Sequence, residues 1–133
     1  MARLFVDEND LALGKALAAS HPGDVLFPGH LELPEVPRGT IDDEWLPVVG
    51  AKNLIVITRD QRIRYRPVEK RMWVDHGVRG FVLTGRKSQS TTDSLRMVEK
   101  HWLHLHALIA SRPTKPWMYA LTEGLLREIE LSR

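Results

Sequence analysis

Asn53-Leu54-Ile55-Val56-Ile57-Thr58-Arg59-Asp60 is the most apolar, β-rich run in the chain. From Leu54 to Thr58 it carries no polar alternation, as a central strand buried on both faces of a parallel sheet requires. It then runs straight into an acid, Asp60. Towards the N-terminus, Arg3-Leu4-Phe5-Val6-Asp7-Glu8-Asn9 repeats the pattern, an apolar strand ending in Asp7. Between them Asp42-Asp43-Glu44, beginning eighteen residues before Asp60, opens a helix-like segment. Buried parallel strands deliver their C-terminal residues to one edge of the sheet, where open α/β folds place their sites. Carboxylates gathered at such an edge repel one another and are most easily tolerated around a divalent cation.

The rest of the chain alternates in the same way. Arg3 to Val6 is read as the first strand and Asp10 to Ser20 as a helix, with Leu11, Leu17 and Ala18 available to a core. Asp24 to Phe27 gives a short second strand, and the proline- and glycine-punctuated run from Pro28 to Gly39 a candidate functional loop. Thr40 or Asp42 is expected to cap the helix that follows, with Pro47 awkward inside it. Pro67 starts a helix to about His76, stopped by Gly77. Gly80 to Thr84 reads as a strand and Thr91 or Thr92 to about Ser111 as one long helix, striped by Leu95, Val98, Trp102, Leu105 and Ile109. Trp117 to Leu121 is a fifth strand, and Thr122 to Leu131 a closing amphipathic helix. The expected fold is therefore α/β: one three-layer domain over residues 1–133, with a mostly parallel, about five-stranded sheet flanked by helices.

Composition narrows the class. At 133 residues, with 43% hydrophobic and 27% charged residues, the chain has the make-up of a single soluble domain. It has no cysteine, which excludes disulfides and thiolate metal sites and fits a reducing, cytoplasmic compartment. No run approaches the roughly 20 apolar residues of a membrane span. The first residues do not resemble a signal peptide, because Asp7 and Glu8 end the apolar run. The net charge of +2 is unevenly spread: residues 59–87 carry a local +6 and the remainder −4. A basic block beside an acidic cluster suggests a polyanion held over a metal site. Arg59, Arg62, Arg64, Arg66, Lys70 and Arg71, with Tyr65 among them, are the candidate nucleic-acid contacts, since arginine and tyrosine suit phosphates and unpaired bases. The polar run from Arg86 to Thr92 reads as a surface loop.

Divalent-metal nucleases need hard oxygen ligands, and Mg²⁺ and Mn²⁺ prefer carboxylate, water and phosphate oxygens. Asp7, Asp42 and Asp60 are the acids available for that role, with Asp43 and Glu44 open as alternates on the same helical turn. Phe5-Val6-Asp7-Glu8-Asn9, Asp42-Asp43-Glu44-Trp45 and Val56-Ile57-Thr58-Arg59-Asp60 together resemble a PIN domain of the compact, VapC-type toxin ribonuclease branch. The resemblance covers residues 3 to about 64. It implies catalytic metal ligands at Asp7, Asp42 and Asp60, with Asn9 and Thr58 orienting the carboxylates. It also implies an Mg²⁺ or Mn²⁺ cofactor, an RNA substrate and a cognate antitoxin; a second copy of the chain is a further candidate partner, and the lack of an apolar span argues against a membrane. Arg62 stands where many relatives carry a further acid. Larger PIN domains add a glutamate from an early helix, for which Glu32 or Glu35 could substitute here by an inward fold of the loop.

Two other readings compete. A PIN-like domain that binds RNA or protein without cleaving it is favoured by Arg62. A phosphoreceiver domain would use Asp7-Glu8, Asp60, Thr84 and Lys115-Pro116, but Lys115-Pro116 precedes the fifth strand instead of following it. His101, His104 and His106 are a poor zinc set, because the first two share a helix face and the third does not. The four tryptophans are expected in the core.

Overall fold

The computed structural model describes residues 2–85, 90–123 and 125–131. Within them β1 (Leu4–Val6) is followed by a 3₁₀ turn (Glu8–Asp10), α1 (Leu11–Ser20) and β2 (Val25–Leu26). Then come α2 (Asp42–Ala51), β3 (Ile55–Thr58), α3 (Gln61–Tyr65), α4 (Pro67–Asp75) and β4 (Arg79–Leu83). The chain ends in α5 (Thr91–Lys100), α6 (Trp102–Ser111), β5 (Trp117–Thr122) and β6 (Leu125–Ile129). The strands form one sheet in the order β2-β1-β3-β4-β5-β6; every pairing is parallel except β5 with β6.

Strand periodicity sorts the apolar residues into two cores. Leu4, Val6, Ile55, Ile57, Phe81 and Leu83 face α1, α5 and α6, meeting Leu13, Leu17, Met97, Val98, Leu105 and Ile109. Phe5, Val56, Val82 and Met118 point the other way and meet Trp45, Leu46, Val49, Ile63 and Trp73 from α2, α3 and α4. Both faces are covered, so the strands tolerate no polar alternation. Trp45, Trp73 and Trp117 are fully buried, and the Trp73 Nε1–H is satisfied by the Trp117 carbonyl at 3.1 Å. Truncating any one of these to alanine costs about 3–5 kcal/mol in a typical core.

The long Pro28–Gly39 loop is compact. Gly29 N–H donates to the Val36 carbonyl, Leu33 N–H to His30, and Val36 N–H to Leu33. Leu33 and Val36 are themselves buried in the second core. The loop thus carries its own hydrophobic anchor, as compact surface loops do.

Several local expectations need correction. The segment after Thr122 is not an amphipathic helix but β6, paired antiparallel from Thr122↔Leu125 to Met118↔Ile129, which brings the sheet to six strands. The open edge of β5 is the deciding partner, and such non-local pairing overrides helical patterning. The long helix is two: at His101 the backbone leaves the helical region (φ −103°, ψ 10°), with the ring Nε2 lying 3.0 Å from the Glu123 carbonyl oxygen. The run after Asp60, to which the sequence reading assigns no helix before Pro67, winds into α3 with Ile63 buried. Neither Thr40 nor Asp42 caps α2. Ile41 is the N-cap residue and Asp42 the first helical one, while the Thr40 hydroxyl donates back to the Pro37 carbonyl at 2.6 Å. Of the polar run 86–92, residues 86–89 lie outside the described residues; Ser90 forms a capping box with Asp93 at the start of α5.

Candidate active site

β1 and β3 are neighbours, and the connection leaving β1 runs through α1 on one face of the sheet whereas that leaving β3 runs through α3 and α4 on the other. The crevice beyond the carboxyl ends of β1 and β3 is therefore the topological switch point, where open α/β sheets bind ligands. The parallel register ends at Val6↔Ile57; Asp7 follows β1 directly, and Asp60 follows the end of β3 at Thr58 by two residues. A cleft of about 380 Å³ opens there, lined among others by Asp7, Asn9, Asp42, Asp43, Arg62 and Glu69.

Asp7 sits at its base. The residue is 1% exposed, and its Oδ1 is buried without a hydrogen-bond partner among the described residues. Burial drives its carboxyl up to about 9, and the negative charges of Asp10, Asp42 and Asp60 push the same way. A buried acceptor left unsatisfied is uncommon and destabilising in a native structure. Asp42, half-buried at the first turn of α2, accepts a hydrogen bond from Trp45 Nε1–H at 3.0 Å. Its carboxyl is raised, first by burial and then by the charge of Asp60. Asp43 also lines the cleft, whereas Glu44 on the same turn is exposed and does not.

Asp60 behaves differently. Its side chain caps α3 by accepting from Arg62 N–H at 2.9 Å. The Arg62 guanidinium then closes on the same carboxylate, Nε to Oδ1 at 3.0 Å and Nη2 to Oδ2 at 2.9 Å. Burial tends to raise this carboxyl, but the hydrogen bonds and charge of Arg62 outweigh it and hold it below the usual range. Thr58, fully buried, accepts from the Asp60 backbone N–H at 3.0 Å. It orients Asp60 through the main chain and not by a bond to a carboxylate. Asn9 is exposed at the wall of the cleft.

Three participants escaped the sequence reading. Asp10 is buried beside Asp7 and held by Arg59, through the backbone N–H at 2.9 Å and Nε at 2.6 Å. Its one signal was its place three residues after Asp7. Glu8 reaches the loop, its carboxylate accepting from Gly39 N–H at 2.6 Å and Arg38 Nε at 2.7 Å. Gly39 holds φ +89°, so glycine is needed where the loop turns to present that N–H. Glu69 enters the cleft from α4, its sole signal being an acid inside a basic run. The early-helix glutamate has no stand-in: Glu32 pairs with Arg3 at 3.0 Å and Glu35 with Lys52 at 2.8 Å, and neither lines the cleft.

The basic set divides. Arg59 is turned inward onto Asp10 and Ser94. Arg62 is on Asp60, and Arg66 lies 3.9 Å from Glu69. Arg64 stacks over the exposed Tyr65 ring at 4.9 Å, and both line a groove of about 400 Å³ with Lys70 and Arg127. Arg71 is exposed on α4.

The oxygen donors and the unpaired Asp7 Oδ1 fit a hard divalent cation in chemistry. In position they fit less closely: among the described residues no three Asp, Glu or His side chains converge enough to hold one ion. The three histidines likewise do not converge; His101 and His104 have ring centroids 6.4 Å apart while His106 packs on Trp102. Lys115, which a phosphoreceiver would bring to the acids, instead bonds Asn53 Oδ1 at 2.6 Å, ahead of β3 at the opposite edge of the sheet. Among the described residues no helix is long and apolar enough to cross a membrane.

Comparison with known proteins gives one family and no individual relative. No curated protein and no solved structure matches the chain. Residues 2–85, more than half of the sequence, match the model of the PIN like domain, and they contain β1 to β4 and every acid of the cleft. The chain belongs to the PIN like domain family, which includes nucleases.

Proposed function

We propose that this protein is a metal-dependent endoribonuclease, using Mg²⁺ or Mn²⁺ at Asp7, Asp42 and Asp60. The observation that carries the reading is the buried, unpartnered Oδ1 of Asp7 at the base of a switch-point cleft shared with Asp42. A bound cation would supply water activation, phosphodiester positioning and charge compensation. The chain's own groups do the rest. Trp45 Nε1–H fixes the Asp42 carboxylate, and Thr58 fixes the backbone from which Asp60 projects. Asn9 offers an amide at the cleft wall, with Asp43 as the neighbouring acid. Arg64, Tyr65, Lys70 and Arg127 line a groove of stacking and net positive charge, with Glu128 and Glu130 also in its wall, suited to a single strand; Arg66 lies between α3 and α4 and Arg71 on α4.

Asp7→Asn tests the reading directly. With Mg²⁺ or Mn²⁺ the parent should cleave RNA, and the variant should lose at least about a hundredfold in rate while still retaining the RNA on a filter. A parent inert towards varied RNAs with either metal would leave the second reading, a binding domain without cleavage, which the Arg62–Asp60 pair favours. A VapC-type toxin role in the cytoplasm adds a cognate antitoxin, and a second copy of the chain is a further candidate partner. Co-expression with the product of an adjacent small gene, read as relief of growth arrest and co-purification, tests the toxin role separately from the nuclease one.

A further inference from the structure

Arg62 stands between Asp60 and the cleft. The guanidinium lines the cleft with its side chain 53% exposed, while the Asp60 side chain behind it is 7% exposed. Both Asp60 oxygens accept from it: Nε reaches Oδ1 at 3.0 Å and Oδ2 at 3.3 Å, and Nη2 reaches Oδ2 at 2.9 Å. A forked arginine on a carboxylate satisfies the lone pairs that a metal would take. Its fixed positive charge also opposes a divalent ion in the same cleft. Asp7 Oδ1, by contrast, is nine-tenths buried or more and has no hydrogen-bond partner among the described residues. The two halves of the acidic site are therefore unequal: one acid is without a cation and the other is already held by one.

Arg62 also has somewhere else to go. Its backbone N–H, not its side chain, provides the cap of α3, so the guanidinium can leave without unwinding the helix. It lies on α3 two residues before Arg64, which lines a separate groove where Lys70 and Arg127 join it against Glu128 and Glu130, a net positive charge that favours a phosphate backbone. Phosphate oxygens accept the same planar fork as a carboxylate.

We propose that Arg62 is a substrate-operated gate on the divalent-cation site: a phosphate of bound single-stranded nucleic acid takes the guanidinium from Asp60 and so admits the cation. The proposal rests on the nuclease reading above. It makes cation and polyanion binding mutually reinforcing, because each ligand favours the arrangement in which Arg62 is off Asp60. No bond is made or broken; one ion pair is exchanged for another.

The test is Mn²⁺ binding, by calorimetry or by the loss of the free-ion paramagnetic signal, with and without a short 2′-O-methyl oligonucleotide. Without oligonucleotide, Arg62→Gln should bind Mn²⁺ about tenfold more tightly than the parent. Adding oligonucleotide should tighten the parent by a similar factor and leave Arg62→Gln unchanged. Arg62→Lys, which keeps the charge and loses the fork, should fall between them. Cooperative unfolding in metal-free buffer, with a melting temperature only modestly below the parent's because the Arg62–Asp60 pair is lost, would show the variants folded. Equal affinity of parent and Arg62→Gln, or a parent indifferent to oligonucleotide, overturns the gate and leaves the nuclease standing. Absence of Mn²⁺ binding in every arm overturns both.

Discussion

Among the acids, Asp7 and Asp60 respond to opposite surroundings, and that opposition has a measurable consequence. An acid whose pKa is raised on folding holds its proton more tightly folded than unfolded. Asp7 therefore contributes stability fully below its ordinary value of 3.8, and that contribution is lost as the pH climbs towards about 9. Asp60, lowered by Arg62 against its burial, contributes above its ordinary value and loses that contribution as the pH falls. With chelator present, the melting temperature is expected to decline from about pH 5 to about pH 8. Asp7→Asn should flatten that decline and stand above the parent at the alkaline end. Parallel profiles for the two proteins would mean that Asp7 does not carry the proton. At this scale the sequence was readable where a side chain is placed by its own strand, as Asp7 and Asp60 are. Arg59 on Asp10 and Arg62 on Asp60 were not readable as pairs, because rotamers facing each other across a turn or another element leave no spacing to recognise.

The helices were legible by their punctuation and the strands by their continuous apolar runs, since a strand buried on both faces has only one way to look. β6 was illegible. Its residues are exposed or half-buried without strict alternation, and only the vacant edge of β5 makes them a strand. The break at His101 was also hidden, because the apolar stripe runs across it without interruption. One close approach between elements invites a test. A Cβ on Gly50 would lie 2.1 Å from the His76 carbonyl oxygen, where the end of α2 meets the end of α4. That neighbour is backbone and cannot swing aside. Gly50→Ala should therefore cost about 1–3 kcal/mol by overpacking, read as a lower urea midpoint with unchanged m-value. A neutral result would mean that the two helix ends slide apart freely.

For the molecule as a whole, charge is divided much as the site is: an acidic cleft at the switch point and a basic flank on α3 and α4. If that flank tracks a strand, Arg64→Ala with Lys70→Ala should weaken RNA binding and reduce the salt slope by about 1.4, two phosphate contacts at roughly 0.7 each. An unchanged slope would move the strand to another face. The parallel pairing of β1 with β3, Leu4↔Ile55 to Val6↔Ile57, has a kinetic side as well. It closes a loop of about fifty residues, and such long-range closures come at an entropic disadvantage that slows folding. The same pairing forces Asp7 and Asp60 towards one another, so like-charge repulsion rises as the zipper shuts. Refolding should thus be a sensor of the acids: divalent cations, mild acidity or Asp7→Asn each relieve the encounter, and each should speed the step in which β1 and β3 meet.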